Sequence, residues 1–326
     1  MEEIFDAFKK LKVLVIGDVM IDSYVWGKVE RISPEAPVPI ISVNSRENRM
    51  GGAANVARNI RSLGAEPLLC AAIGDDEDGK IFESLLNDEA MSNKGIIKSK
   101  RRLTTLKHRI ISGSQHLLRI DAETDKPLHP QDRKELTKRI LALMEEAHLV
   151  IFEDYDKGVI SEKLIVDVVE AAKQRNIPVA VDPKKRNFMK YRGVDLFKPN
   201  FKELVEGTKK ELTKEDLPGI EKAGKQLLTQ LEIRNILLTL SEKGVIYQSM
   251  EKLHHVPAHI RRIADVSGAG DTVISIAGMA LAVGLSPGQI AALSNLGGGL
   301  VCEEVGVVPI DRERLIAEAK KLNEFN

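Results

Sequence analysis

Asp265-Val-Ser-Gly-Ala-Gly-Asp271-Thr272 runs directly into a thirteen-residue apolar stretch, Val273 to Leu285. Gly268 and Gly270 bracket Ala269, so the segment predicts a tight turn that delivers the chain into a buried helix. Glycine lets backbone approach a ligand closely, and the first N–H groups of a helix have no intrahelical partner. Such an end attracts anions through its free donors and its dipole. Asp271 adds a carboxylate where negative charge is already expected. A base beside an anion-binding turn is what phosphoryl transfer to a hydroxyl requires. The same residues also read as a glycine-rich helix start capped by an aspartate.

The 326 residues suffice for a large core, and 43% hydrophobic with 29% charged residues is ordinary for a soluble globular chain. Lys plus Arg equals Asp plus Glu at 48 each, so no global field points to nucleic acid or a membrane surface. Cys70 and Cys302 lie in apolar surroundings and read as buried thiols in a reducing compartment. Glu2, Glu3, Lys9 and Lys10 exclude a signal peptide at the N-terminus. No apolar run approaches the roughly 20 residues of a spanning helix. A cytoplasmic protein is expected.

Short apolar runs alternate with amphipathic ones. Val13 to Gly17, Leu68 to Ile73, Leu149 to Phe152, Val179 to Asp182 and Ile236 to Leu240 predict buried strands. Ala53 to Leu63, Gln131 to Ala147, Ser161 to Arg175 and Ile220 to Leu231 predict helices between them. This alternation implies an α/β fold, a parallel sheet with helices on both faces. Ligands of such sheets gather at the carboxyl ends of strands, where Asp18, Asp154, Asp182 and Ser241 fall. Residues 21–43 and 104–120 are rich in β-formers, and Pro34, Pro37 and Pro39 forbid helix. They predict a small β lid on a single domain spanning 1–326.

Gly74-Asp-Asp-Glu-Asp-Gly79-Lys80-Ile81 has Walker A spacing, but Ile stands where Ser or Thr would meet magnesium, and its acids repel triphosphate. Gly51-Gly52-Ala-Ala-Asn55 permits close approach to a ligand and offers an amide to hydroxyls; it also reads as a plain tight turn. Asp22 suits a pair of sugar hydroxyls or a solvent-facing turn. Asn200 and Glu203 share a helix start, where they could reach one magnesium hydration shell or form an ordinary capping pair.

Together these segments resemble the ribokinase (PfkB) family of sugar kinases from about Lys12 onward. Gly51 to Ala57 and Asp265 to Asp271 match its two signatures; Gly74 to Gly79 and Asn200 to Glu203 are similar to further family elements. Arg31-Ile-Ser-Pro-Glu-Ala-Pro-Val-Pro39 is similar to the family's heptose kinases of lipopolysaccharide biosynthesis, supported by Gly17 to Asp22, Leu117 to Asp121, Asp154 to Gly158 and Asp182 to Lys184. The resemblance implies a ribokinase-like fold and transfer from ATP to the anomeric hydroxyl of a heptose 7-phosphate. Another sugar kinase, or a sugar-binding regulator without catalysis, are the alternatives. At this length the resemblance implies a kinase-only protein, without the nucleotidyltransferase domain of bifunctional relatives, as the expectation.

By this resemblance Asp271 is the base, with N–H groups of Gly268, Ala269 and Gly270 stabilising the transferred phosphoryl. Asp22, Gly51, Gly52, Asn55, Arg119 and Asp121 would hold the sugar. Lys157, Lys184 and Arg186 would hold its phosphate, with Lys107 and Arg109 in reserve. Thr239, Ser241, Gly244 and Asn295 fall where the family places nucleotide contacts. Asn200 and Glu203 would hold magnesium partly through water, and Asp265 and Ser267 a monovalent cation such as potassium. Ser267 replaces the usual Thr before Gly268 and keeps the hydroxyl. Asp156 and Lys185-Arg186-Asn187 depart from the heptose kinases. The resemblance implies a homodimer joined through the lid.

Overall fold

The computed structural model describes residues 1–113, 115–259 and 261–325. Ser114, inside the expected 104–120 excursion, and Asn326, the end of the expected domain, lie outside the described residues.

In chain order the elements begin with helix α1 (Glu2–Phe8), strand β1 (Lys12–Gly17), the long strands β2 (Val19–Ile32) and β3 (Pro39–Gly52), and helix α2 (Ala53–Ser62). Next come β4 (Glu66–Gly74), α3 (Glu77–Asp88), β5 (Gly95–Ser99), β6 (Thr105–Ser112) and β7 (Gln115–Ala122). The middle holds α4 (Pro130–Met144), β8 (Leu149–Glu153), α5 (Glu162–Gln174), β9 (Val179–Asp182), β10 (Leu196–Phe197), α6 (Phe201–Thr208) and α7 (Leu217–Leu231). The chain closes with β11 (Asn235–Thr239), β12 (Val245–Gln248), β13 (Leu253–Val256), α8 (Ala269–Ala282), α9 (Pro287–Val301) and α10 (Arg312–Ala319).

Nine strands form the main sheet in the order β13-β12-β11-β10-β9-β8-β1-β4-β5. Pairings from β5 to β11 are parallel, and the β11-β12-β13 edge is antiparallel. Alternation along β1 divides its side chains between two cores. Val13 and Val15 join the layer of α2, α8 and α9, whereas Leu14 and Ile16 join that of α4, α5 and α7. Strand order reverses at β1: the chain continues outward through β4 on one side and through β8 on the other. Crevices for ligands form at such a reversal.

The smaller sheet runs β3-β2-β6-β7. It contains the two expected β-rich segments and extends further, because Asn44 to Gly52 continues β3 and pairs back to Val19. Gly51 and Gly52 therefore end a strand instead of forming an isolated turn. The small sheet passes directly into α2.

Local chemistry explains several helix starts. Ser161 accepts the Leu164 N–H, and Ser286 with Gln289 forms a reciprocal capping box. Asp76 caps α3 through Gly79 N–H and also receives the Thr104 N–H and hydroxyl. The acidic Gly74–Gly79 run is thus a helix start tied to β6.

Candidate active site

The site forms where β1, β8 and β9 end beneath the start of α8. Gly268 precedes that helix with φ +80°, a left-handed conformation that glycine adopts readily. A Cβ there would also lie 2.9 Å from Asn55 Nδ2. Asp271 follows in the first turn, almost entirely buried. Asn55 Nδ2 donates to its Oδ2 at 2.7 Å, and the Tyr155 hydroxyl donates to its Oδ1 at 2.8 Å. Burial pushes the Asp271 carboxyl up to about 6, against the pull of those donors. It is thereby poised to take a proton near neutral pH.

Around Asp271 lies a sealed set of charges. Lys198 Nζ is 2.8 Å from Asp182 Oδ2, and both residues are buried. Burial opposes the charge on Lys198, but Asp182 and Glu203 raise its pKa overall. Glu153, at the end of β8, is fully buried and neither of its carboxyl oxygens has a hydrogen-bond partner among the described residues. Burial, together with Asp182 and Asp271, holds it well above the usual carboxylate range. The Oδ1 of Asp182 and the Oδ1 of Asn55 are likewise buried without hydrogen-bond partners among the described residues, although Lys184 Nζ stands 3.9 Å from the former. Unsatisfied polar atoms cluster on the Asp271 side of the switch point, as expected where ligand groups complete the bonding.

At the glycine turn, the Ala269 N–H reaches back to Val266 O at 3.3 Å, and the Thr272 N–H closes onto Gly268 O at 3.0 Å. Ala269, expected to aim its N–H at a phosphoryl group, therefore spends it inside the turn. The N–H groups of Gly268 and Gly270 have no acceptor among the described residues. Asp265 accepts from Ser267 N–H and hydroxyl and from Gly306 N–H, which outweigh burial and lower its pKa. The two residues expected to meet a monovalent cation bond to one another.

Asp22, on β2, is buried and ion-pairs with Arg109 on β6. A Cβ at Gly51 would lie 2.2 Å from Asp22 Oδ2, so only glycine fits that close approach. A Cβ at Gly52, where φ is +62°, would meet Asp18 O at 2.4 Å. Arg109 and Arg49 also stand over the Tyr24 ring.

Each cation expected to hold a substrate phosphate has a carboxylate partner. Lys157 pairs with Glu123 at 2.7 Å, Lys184 with Glu203 at 2.6 Å and Arg186 with Asp125 at 2.9 Å. Lys107 bridges Asp121 and Glu123. Arg119 is largely exposed on β7 and pairs with Asp121. Lys107, Glu123 and Lys157 thus form an ionic chain between the small sheet and the loop after β8.

Asn200 and Glu203 make a complete capping box at the start of α6, and Glu203 also holds Lys184. Both expected magnesium residues are engaged, and among the described residues no cluster of three or more His, Cys, Asp or Glu has the arrangement of a direct metal site. Thr239 ends β11, and Ser241 and Gly244 (φ +87°) form the following turn. Asn295, inside α9, donates to Pro257 O at 2.9 Å. These four lie along the other edge of the crevice from Asp22 and the small sheet.

Sequence reasoning assigned no role to Tyr155, Lys198 or Glu153. Tyr155 and Asp182 belonged to segments singled out for their resemblance, and their positions, just past the end of β8 and at the end of β9, were the available signal. Lys198 carried none, because a lysine in a sequence gives no sign of being buried.

The Escherichia coli phosphofructokinase-2 complexed with potassium superposes with a TM-score of 0.78 at 19% identity, covering 95% of this chain and 98% of that one. Arabidopsis thaliana ribokinase complexed with ribose and ATP gives 0.74 at 19% identity, covering 95% and 99%. These likenesses establish the ribokinase-like fold. Among curated proteins, the Bifunctional protein HldE of Geotalea uraniireducens is 35% identical over 97% of this chain and 64% of its own length. That of Magnetococcus marinus is 38% identical over 95% of this chain and 64% of its own. The chain spans less than two thirds of the length of either relative. Residues 10–313 match the pfkB family carbohydrate kinases, and with the paired relatives and the shared fold this places the chain in that family of phosphotransferases.

Proposed function

We propose that this kinase transfers the γ-phosphoryl group of ATP to the anomeric hydroxyl of D-glycero-β-D-manno-heptose 7-phosphate, giving the 1,7-bisphosphate, within one domain spanning residues 1–326. The observation that carries the chemistry is Asp271: a buried carboxylate with both oxygens held, at a helix N-terminus, with a pKa near 6. The heptose assignment is supported by the similarity to bifunctional HldE proteins and by the Arg31–Pro39 segment.

In this reading Asp271 accepts the anomeric proton as that oxygen attacks the γ-phosphorus in line. The N–H groups of Gly268 and Gly270, at the positive end of α8, face the charge that develops on the phosphoryl oxygens. A preorganised donor of this kind contributes on the order of 3 kcal/mol. Asp22 and Asn55 hold sugar hydroxyls, and the orphaned Asn55 Oδ1 supplies an acceptor for one of them. Lys157 and Lys184 exchange their carboxylate partners for the 7-phosphate. Thr239, Ser241, Gly244 and Asn295 line the nucleotide side.

Asn200 and Glu203 bring hard oxygen donors to the start of α6, chemistry compatible with a hydrated divalent cation. Magnesium would offset phosphate charge when bound, held by Asn200 and Glu203 through water. A monovalent cation is supported by the phosphofructokinase-2 solved with potassium, and Asp265 and Ser267 are the residues that would meet it. Closure of the small sheet excludes water, and the same sheet joins two copies in a cytoplasmic homodimer. Its exposed Ile32, Val43, Leu118 and Ile120 supply the apolar surface for that contact.

The test is ADP release with ATP, magnesium and a sugar-phosphate panel including heptose 7-phosphate, with phosphorus NMR of the product. Heptose-selective formation of an anomeric phosphate, lost in Asp271→Asn, is the expected result. Preference for another sugar would discard the heptose assignment, and absence of turnover with ATP still bound would favour a sugar-binding regulator.

A further inference from the structure

We propose that Tyr155 is the positioning residue of the base: its hydroxyl fixes the orientation of the Asp271 carboxylate and favours the charged form. The inference rests on reading Asp271 as the base. Tyr155 touches no reacting atom in this account and acts only through Asp271.

The geometry is that of a two-point clamp. Tyr155 OH donates to Oδ1 and Asn55 Nδ2 to Oδ2, from opposite ends of the same carboxyl group. Rotation of the carboxyl plane would break both bonds. A carboxylate accepts hydrogen bonds more strongly than a carboxylic acid does, so each donor favours ionisation. Of the other groups around Asp271, Asp182 and Glu153 oppose its charge and Lys198 supports it. None of these three hydrogen-bonds to it, so Tyr155 and Asn55 are its direct counterweights to burial.

The loop that carries Tyr155 is itself held. Asp18, the first residue beyond β1, accepts backbone N–H bonds from Tyr155, Lys157 and Val159, each at 3.0 Å. Asp156 and Gly158 take left-handed conformations, with φ +56° and +88°, that turn the chain around this carboxylate. Lys184 Nζ stands 5.5 Å from the centre of the Tyr155 ring. The end of β1 is thus connected to the base through one aromatic side chain.

A purely structural role for Tyr155 would be met by phenylalanine, which keeps the ring and its packing; the positioning role needs the hydroxyl. The experiment is a carbon-NMR titration of the Asp271 carboxyl in wild type and Tyr155→Phe. The protein carries carboxyl-labelled aspartate, and the signal is assigned by its absence in Asp271→Asn. In parallel, kcat/KM is measured against pH with whichever sugar phosphate wild type accepts. The expected result is a midpoint higher by about one pH unit in Tyr155→Phe, with the acid limb of kcat/KM displaced equally and thermal unfolding little changed. An unchanged midpoint would overturn the proposal. Should wild type turn over none of the sugars, the substrate reading fails on its own, and the titration still decides the role of Tyr155.

Discussion

Lys198 and Asp182 meet at 2.8 Å in a place closed to solvent, directly beneath Gly270. A Cβ on Gly270 would come within 3.6 Å of the Asp182 carboxylate and 3.7 Å of the Lys198 ammonium. The glycine turn therefore rests on a buried ion pair. Removing Lys198 leaves Asp182 buried, with Lys184 Nζ at 3.9 Å as its remaining cation.

Lys198→Met should accordingly lower unfolding stability by about 3–5 kcal/mol, read from urea denaturation. Replacing both residues, in Lys198→Met with Asp182→Leu, should recover most of that loss. A double variant as unstable as the single one would show that the pair is not what the mutation disrupts.

The raised pKa of Asp271 sets the pH dependence. A general base works deprotonated, so kcat/KM should fall as pH drops through about 6. The same shift acts on stability. A carboxyl with a higher pKa in the folded state binds protons more tightly there, so the folded state gains stability from this group as pH falls through 6 and loses it above. Asp271→Asn should be inactive and, at pH 8, more stable than wild type by about 1 kcal/mol or more. Thermal unfolding between pH 5.5 and 8.5 should show that advantage narrowing toward the acid end.

Gly268→Ala combines a strained φ with a methyl group against the Asn55 amide. It should cost about 1–2 kcal/mol of stability from the backbone alone. Displacing Asn55 and the donor turn together should reduce kcat by about 100-fold or more. Near-wild-type kcat in a folded variant would argue that the turn has no part in transition-state binding.

Lys157→Ala removes the terminal cation of the ionic chain that runs through Glu123. If it holds the substrate phosphate, KM for a sugar 7-phosphate should rise about tenfold, with no change for the unphosphorylated sugar. Equal effects on both substrates would assign Lys157 to the loop and not to the phosphate.

Five strands of the main sheet, β1, β4, β8, β9 and β11, were legible in the sequence because they are short, continuous apolar runs separated by periodic helices; β5, β10, β12 and β13 were not, β10 being two residues long and β13 carrying His254 and His255. The glycine turn and Asp271 were legible because both residue types are improbable beside so apolar a helix unless the backbone or the chemistry needs them. Helix α9 was not, since it is buried on nearly every side and carries Gly297-Gly-Gly299, so its sequence has neither a polar face nor helix-forming composition. Asn44 to Gly52 was missed for the opposite reason. Its polar, charged residues extend a sheet into solvent and leave no alternating apolar pattern. Tyr155 and Lys198 acquire their roles only through residues distant in the chain.

That distance has a consequence in time. Asn55 and Asp271 are 216 positions apart, Asn59 and Thr272 213, and Tyr155 and Asp271 116. At a synthesis rate on the order of 10 residues per second, the ribosome delivers Asn55 roughly 20 seconds before Asp271. The half of the crevice nearest the small sheet can begin to fold during that interval, while α8 has yet to be translated. A polypeptide halted before α8 would carry Asn55 and Tyr155 without the carboxylate that joins them.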